Sequence, residues 1–318
     1  MNNLIANTCK ICGNITGNIP FRVKEFQFGT FDEFNYFECC ICKCIQINKI
    51  PKDLHQYYPA NYYSYSTHQK KLNKLVEFLT LKIKKNLSKY YAGKFNLIGM
   101  CFSLFYKNPF PWLKKNIFDF HARILDVGAG AGRLLLSMQR SGFENLTGID
   151  PFVENDINYK NGVSIYKKDI FNVVGEFDII MLHHSFEHMD FPYETLEKTR
   201  SLLCKNGIII IRMPVTGGYV WRKYREYWAQ IDAPRHFFIH SLQSMQHLCK
   251  AAHLQISNIE YDSTIFQFTG SEKYLRSIPL NSEELPFTKK QIRNFRRETN
   301  RLNKIHDGDA ACFYIRKI

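Results

Sequence analysis

Short apolar runs alternate with helix-like segments through the second half of the chain, and this alternation predicts the fold. In chain order, the apolar runs from residue 123 onward read RILDVGA, LTGID, SIYKKD, FDIIMLHH and GIIIIRMP. Strands separated by helices favour a parallel sheet covered by helices on both faces, so the pattern indicates an α/β fold. Two later runs, at 254–262 and 311–318, predict further strands, with a basic helix-like insert between them over about residues 270–305.

Apolar residues also recur at helical spacing upstream of this region. The positions that share one face of the predicted helix are Leu72, Leu75, Val76, Leu79, Ile83 and Leu87. The stretch FNLIGMCFSLFY, residues 95–106, is the longest apolar run outside the predicted strands. It is shorter than the roughly 18–20 residues that cross a bilayer. We interpret it as a buried connecting segment, with a membrane-surface role as the alternative.

Composition limits the class of protein. The chain has 318 residues, 45% of them hydrophobic, which is typical of a folded protein with a sizeable core. Its net charge of +14 suits a polyanionic partner, a phosphorylated small molecule or a membrane surface, and does not choose among them. The N-terminus lacks a signal-peptide pattern, so we expect a cytoplasmic protein whose cysteines are thiols or metal ligands.

Six of the ten cysteines lie within the first 44 residues. Cys9 and Cys12 form one CxxC pair, and Cys39 and Cys42 form a second. Two such pairs offer four thiolates to a tetrahedral Zn²⁺, and a segment this small gains folding free energy from a metal. We therefore predict a structural zinc site on these four residues. Cys40 and Cys44 are alternative ligands, because spacing alone does not fix the register.

The glycine-rich turn after the first predicted strand indicates the ligand. Gly128, Gly130 and Gly132 follow a GxGxG pattern, and Arg133 stands where a dinucleotide-binding loop has its third glycine. Asp126 precedes the loop, where a carboxylate would repel pyrophosphate but suits a ligand that carries an amine and a sulfonium. The loop therefore favours S-adenosylmethionine over NAD.

Together these segments resemble the class I S-adenosylmethionine-dependent methyltransferases over roughly residues 115–262 plus the final strand. The motifs that carry the resemblance are LDVGAGAG, LTGIDP, YKKDI, FDIIMLHHSFEHM and LLCKNGIIIIRMP. The resemblance implies a Rossmann-like, seven-stranded, mostly parallel sheet sandwiched by helices. It also implies that Asp150 binds the ribose hydroxyls of the donor, that Asp169 lies beside the adenine, and that His183 contacts the donor. S-adenosylhomocysteine would then be the product.

Further motifs toward both ends of the chain sharpen the resemblance. Two CxxC pairs, the tract YYPANYYSY, the EHM turn and DAPRHFFIHS are similar to a bacterial group that acts in sugar-nucleotide and surface-polysaccharide pathways. This implies a zinc-binding domain at 1–50, a tyrosine-rich and helical linker or cap at 51–115, and a methyltransferase domain at 116–318 with an insert at about 263–310. The acceptor implied is a sugar-linked, phosphorylated or unphosphorylated small molecule. Lys43 departs from the glycine usual in the second knuckle, and the insert has no counterpart in the sugar C-methyltransferases.

Methyl transfer to a hydroxyl or a carbon acid needs a group that takes the acceptor's proton, and histidine suits this task near neutral pH. His236 follows Pro234 beyond an aromatic stretch, and we predict it as the base. His188 is the second candidate, with Glu187 in an orienting role; the alternative for this pair is the start of a helix. Arg235 pairs either with a substrate phosphate or with a core carboxylate.

A zinc-knuckle protein that binds or modifies nucleic acid is the competing hypothesis. Residues 9–44 argue against it, because their four basic residues are matched by four acidic ones. A segment that grips phosphates should be more basic. We therefore favour a small-molecule acceptor.

Overall fold

The computed structural model describes residues 8–58, 74–113, 119–284 and 286–318. The chain folds as two compact units. The middle unit comprises the described residues of 61–183 together with 201–209, and the terminal unit comprises those of 1–60, 184–200 and 210–318. Among the described residues, no helix combines the length and the apolar character that a membrane crossing needs.

The middle unit is built on a sheet of short apolar strands. Its strands are β4 (Arg123–Val127), β5 (Asn145–Ile149), β6 (Ile157–Asn158), β7 (Ser164–Tyr166), β8 (Phe177–His183) and the first residues of β9 (Leu203–Pro214). Their order is β9-β8-β4-β5-β7-β6. The pairs β4–β8, β4–β5 and β5–β7 are parallel, and β6 is antiparallel to β7. Its helices are α1 (Lys74–Tyr91), α2 (Leu97–Ser103) and α3 (Arg133–Arg140).

The terminal unit holds a second, four-stranded sheet. Its order is β1-β2-β3-β10, formed by β1 (Ile19–Lys24), β2 (Glu33–Glu38), β3 (Ile45–Ile47) and β10 (Phe238–Ile239). Antiparallel pairing of Phe238 with Gln46 joins the cysteine-rich segment to a strand from the last third of the chain.

The rest of the terminal unit supplies more strands and helices. The end of β9 is followed in sheet order by β12 and β11, and these last two strands are antiparallel. The remaining elements are α4 (Pro192–Leu202), which ends in the middle unit, α5 (Tyr219–Tyr224), α6 (Leu242–Ala251), β11 (Leu254–Tyr261), α7 (Phe266–Leu275), α8 (Lys289–Lys304) and β12 (Ala310–Lys317).

The predicted fold class is confirmed: the sheet is mixed, mostly parallel and flanked by helices. It has eight strands rather than seven, because the two-residue β6 adds one at the edge. The insert holds α7 and α8. The boundaries at 50 and 115 stay predictions, and Leu72 of the expected helical face lies outside the described residues.

The interpretation of residues 95–106 as a buried segment is wrong. Part of the stretch forms the seven-residue helix α2, and only Gly99 of that helix is buried. Asn96 caps the helix by accepting a hydrogen bond from the Gly99 amide at 2.6 Å. A helix this short buries one narrow stripe, so its large side chains remain exposed to solvent.

Candidate active site

The predicted donor loop in the middle unit has a backbone that only glycine adopts readily. Gly128, Gly130 and Gly132 have φ of 79°, 52° and 77°, all in the left-handed region. The amides of Gly128 and Ala129 donate to the Ile149 carbonyl at 2.9 and 3.0 Å, which fastens the loop to the end of β5. A Cβ on Gly132 would lie 2.7 Å from Ile165. The spacing of the glycines is therefore a structural requirement of this turn.

Two buried carboxylates lie at this loop. Asp150 accepts hydrogen bonds from the amides of Gly130 and Phe152, both at 2.9 Å, so its orientation is fixed by backbone. Asp126 lies in β4, next to its last residue, and is almost completely buried. Burial, and then the neighbouring charge of Asp150, raises the pKa of Asp126 to about 7. A cationic ligand would stabilise the ionised form of Asp126, whereas an anionic ligand would destabilise it further.

The structure places the other two predicted donor residues at strand ends of the same unit. Asp169 is exposed after β7 and accepts a hydrogen bond from the Phe171 amide at 3.0 Å. His183 ends β8, and its ring lies 4.4 Å from the ring of Trp112. Trp112 carries no functional signal in the sequence. These donor assignments stay predictions.

In the terminal unit, the structure brings Glu187, His188 and His236 together. One ligand atom from each lies within 4.8 Å of the others. Nδ1 of His188 lies 2.7 Å from the Arg235 carbonyl, and Nδ1 of His236 lies 2.7 Å from the Gln230 carbonyl. Because a carbonyl only accepts, each ring carries its hydrogen on Nδ1 and leaves Nε2 as an acceptor.

The charges in this cluster are unequal. Burial lowers the pKa of His236 to about 4, with His188 acting in the same direction and Asp232 and Glu187 opposing it. Glu187 is completely buried. Burial would raise the pKa of Glu187, but the rings of His184, His188 and His236 lower it to about 2. The cluster thus holds an ionised carboxylate beside a neutral imidazole.

His184, the second histidine of the FDIIMLHHSFEHM motif, also belongs to this cluster. Arg212 lies 2.6 Å from Nε2 of His184, which places the ring hydrogen on Nδ1. That Nδ1 lies 3.5 Å from Glu187 Oε1, while His236 Nε2 lies 3.9 Å from the same oxygen. Oε1 of Glu187 therefore faces the Nδ1–H of His184 and, further away, the unprotonated Nε2 of His236, and only the first of these can donate to it.

Arg235 pairs with core carboxylates, which decides between the two roles predicted for it. Its guanidinium is fully buried and donates to Glu25 at 2.8 Å and to Asp232 at 2.7 Å. It also donates to the Tyr57 carbonyl at 3.1 Å. Tyr36 donates to the His236 carbonyl at 2.9 Å. The loop that carries His236 is therefore held by side chains from the first 60 residues. The sequence does not reveal these contacts, because the partners lie far apart along the chain.

The four predicted zinc ligands converge as well. The sulfur atoms of Cys9, Cys12, Cys39 and Cys42 lie within 4.8 Å of one another, with 3.5 Å between Cys9 and Cys42 and between Cys12 and Cys39. Sulfurs around a tetrahedral zinc at about 2.3 Å are about 3.8 Å apart, so the spacing fits this ion. The Gln46 amide donates to Cys9 at 2.8 Å, an outer hydrogen bond typical of metal-binding thiolates.

The alternative ligands lie outside this cluster. Cys40 contacts the Thr16 carbonyl at 3.1 Å, and the sulfur of the buried Cys44 lies 3.5 Å from the Ile45 carbonyl. Lys43 has a φ of 58° and donates its amide to the Cys39 carbonyl, so it adopts the left-handed turn that glycine usually supplies in a knuckle. The departure seen in the sequence therefore leaves the turn intact.

Comparisons with known proteins give the family. The chain is similar to an S-adenosylmethionine-dependent methyltransferase from Archaeoglobus fulgidus, with 18% identity over 64% of this chain and 89% of that one and a TM-score of 0.41. It is also similar to magnesium protoporphyrin IX methyltransferase from Synechocystis PCC 6803, with 10% identity over 84% of this chain and 99% of that one and a TM-score of 0.43. A search of curated proteins finds no match. A family model described as a methyltransferase domain matches residues 66–258, more than half of the chain. The chain therefore belongs to the methyltransferase-domain family and is an enzyme of that class.

Proposed function

We propose that this enzyme transfers a methyl group from S-adenosylmethionine to an oxygen or carbon atom of a sugar or nucleotide-sugar intermediate. The observation that carries the proposal is that the chain holds two kinds of site: a left-handed glycine loop with two buried carboxylates in one unit, and a Glu–His–His cluster with acceptor nitrogens in the other. The first suits a cationic adenosyl donor. The second suits an acceptor that must lose a proton.

The chain's residues divide the work. S-adenosylmethionine supplies an activated methyl group on its sulfonium. Asp126 favours the positively charged donor, Asp150 binds its ribose hydroxyls, and Asp169 and His183 complete the predicted donor contacts. His236 takes the acceptor's proton on Nε2, with His188 as the second proton acceptor. Glu187 orients the rings and stabilises the imidazolium that forms.

Zinc belongs to the proposal as a structural ion. Cys9, Cys12, Cys39 and Cys42 would hold it, and four sulfur ligands leave no open position for a substrate. Its contribution is folding free energy in a segment with a small core of its own.

The central test is product analysis by mass spectrometry after incubation with labelled S-adenosylmethionine and a panel of nucleotide-linked sugars. We expect a mass gain of one methyl group on at least one sugar, and none when Gly130 is replaced by Arg. Calorimetry should show that Gly130→Arg abolishes S-adenosylhomocysteine binding. Gly162→Ala is the matched control, because Gly162 is also left-handed, with a φ of 88°, but has open space around it.

The base is tested separately. His236→Ala and His188→Ala should keep S-adenosylhomocysteine binding and lower turnover about 100-fold or more, whereas His247→Ala, at an exposed position on α6, should change neither. Since burial lowers the pKa of His236 to about 4, the wild-type kcat/KM for the acceptor, measured at saturating S-adenosylmethionine, should fall only as pH approaches 4. Near-full turnover in both variants would move proton removal to another residue. Methylation of RNA with none of the sugars would replace the proposed acceptor.

A further inference from the structure

An exposed surface of the middle unit is formed by α1, α2 and the residues that follow them. Gly99 lets α2 approach α1 closely, because a Cβ at this position would lie 2.4 Å from the Asn86 carbonyl oxygen. Asn96 donates to the same carbonyl at 3.0 Å, and Tyr91 donates to the Tyr106 carbonyl at 2.8 Å. The two helices therefore hold the intervening and following residues in a fixed geometry.

This geometry presents large apolar side chains to solvent. Leu104 and Phe105 are each 81% exposed, and Phe95 is 72% exposed. We call the following set the apolar tip: Phe95, Leu97, Ile98, Leu104, Phe105 and Tyr106. Single exposed apolar residues are ordinary, but several of them within residues 95–106 indicate a binding surface.

Within its own stretch of chain, the apolar tip is accompanied by charges of one sign, and Glu144, from outside that stretch, lines a common pocket with Phe95, Lys85 and Lys94. Residues 78–107 contain Lys82, Lys84, Lys85, Lys89, Lys94 and Lys107, and no aspartate or glutamate. Lys82, Lys85, Lys94 and Lys107 are exposed. Apolar side chains flanked by lysines are the pattern of elements that lie in the headgroup region of an anionic bilayer, where the rings insert and the ammonium groups meet lipid phosphates.

We propose that the apolar tip inserts into the surface of an anionic membrane and docks the enzyme there. A second copy of the chain is a poorer occupant, because a self-complementary dimer would bring the lysines of both copies face to face. A bilayer requires no matching shape, only insertable side chains and cations at headgroup level, and this surface supplies both. The proposal concerns residues outside the donor and base clusters, so it stands or falls independently of the acceptor.

The test is co-sedimentation of the full chain with vesicles of phosphatidylcholine alone or mixed with phosphatidylglycerol. We expect binding to the anionic vesicles that weakens with added salt, and little binding to the neutral ones. Leu104→Ser/Phe105→Ser should weaken vesicle affinity by at least about tenfold. Val174→Ser/Phe191→Ser is the matched control, since these two apolar residues are 87% and 59% exposed elsewhere. It should bind like the wild type.

The contribution of the lysines to membrane binding is tested with a separate pair of variants. Lys82→Glu/Lys107→Glu should weaken binding about tenfold or more, while Lys205→Glu/Lys250→Glu, which reverses two exposed lysines elsewhere, should have a much smaller effect. Circular dichroism and S-adenosylhomocysteine binding confirm that each variant is folded. In addition, the fluorescence of Phe105→Trp should be quenched by brominated lipids.

Three results would overturn the proposal. One is the absence of binding to anionic vesicles. Another is a dimer in sedimentation velocity that Leu104→Ser/Phe105→Ser dissociates, which would assign the surface to a second copy. The third is binding to polyglutamate that Leu104→Ser/Phe105→Ser abolishes while this variant and the wild type bind anionic vesicles equally, which would assign the surface to an acidic protein.

Discussion

At the scale of single residues, the most informative group is Asp126. A carboxylate that is buried beside Asp150 is costly to ionise, which is why its pKa is raised to about 7. Folding alone gains nothing from this placement, because ionising the group in the folded state is harder than in the unfolded chain. A positively charged ligand offsets the free energy of ionising Asp126, because it stabilises the carboxylate. The residue is therefore better explained by binding than by stability.

This has a consequence for the pH dependence of donor binding. S-adenosylhomocysteine carries an ammonium group, so it should select the ionised form of Asp126. Its affinity should rise as pH passes upward through about 7 and level off above that, with a limiting slope of about tenfold per pH unit on the acid side. Calorimetry between pH 5.5 and 8.5 measures this.

Asp126→Asn provides the comparison. It should bind more weakly at pH 8 and lose the pH dependence, whereas Glu194→Gln, at an exposed position in α4, should leave the profile unchanged. A wild-type affinity that is flat across the range would show that Asp126 does not face the ammonium group.

Arg235 allows a residue-scale prediction of stability. Removing one partner of a fully buried ion pair leaves the other charge uncompensated. Arg235→Met should therefore lower the free energy of unfolding by about 3–5 kcal/mol in urea denaturation, because Glu25 and Asp232 lose their buried donor.

The control is a second arginine of similar chemistry but different exposure. Arg222 pairs with Asp307 at 2.8 Å and is 55% exposed, so Arg222→Met should cost no more than about 1 kcal/mol. Equal losses in the two variants would mean that burial does not distinguish the pairs.

At the scale of elements, local patterns predicted what is local. The apolar runs gave β4, β5, β8 and β9, and the spacing of Cys9, Cys12, Cys39 and Cys42 gave a cluster that the structure brings together. The pairing of β3 with β10 was not predictable in this way. Phe238 is the partner of Gln46 only because both reach the same sheet, and nothing in either short run encodes the other. The same holds for Glu25 and Arg235, which are 210 residues apart.

The exposed 95–106 stretch shows a second limit of sequence reasoning. An apolar run is buried along its whole length only if the element packs against protein on every side. The seven-residue α2 packs through Gly99, its one buried residue, and its other sides face solvent. Likewise, DAPRH signalled a functional histidine, but Tyr36, which donates to the His236 carbonyl from 200 positions away along the chain, carried no periodicity or motif that links it to His236.

The element-scale prediction joins the cysteine cluster to the His236 loop. Cys12→Ser should lower bound zinc from about one equivalent to near zero by elemental analysis. Since β3 pairs with β10, hydrogen exchange should also become faster at residues 236–240.

Cys40→Ser is the matched variant, because Cys40 lies outside the cluster. It should retain both the metal and the protection at 236–240. Loss of zinc with unchanged exchange at 236–240 would show that the β3–β10 pairing does not depend on the ion.

At the scale of the whole molecule, neither unit is a continuous segment of the chain. The terminal unit draws on the first 60 residues, on 184–200 and on 210–318. Deleting residues 1–50 therefore removes β1, β2 and β3 from the sheet that contains β10, and leaves Arg235 without Glu25.

We expect the shortened chain, 51–318, to lose the cooperative unfolding transition of the terminal unit and to show no methyl transfer. Thermal unfolding followed by circular dichroism and an activity assay would measure both. A stable, active 51–318 would mean that the cysteine-rich segment is an appended module.

The β3–β10 pairing also determines when the four-stranded sheet can be completed during synthesis of the chain. The Tyr36 hydroxyl meets a carbonyl 200 residues further along, which takes a ribosome about 10–40 s to reach. All four clustered cysteines have left the ribosome long before, so they can bind metal early. The edge of β3 stays unpaired until β10 has been synthesised. Unpaired strand edges recruit strands from other chains. Translation that pauses between these two points thus prolongs the period in which this protein is most prone to aggregate.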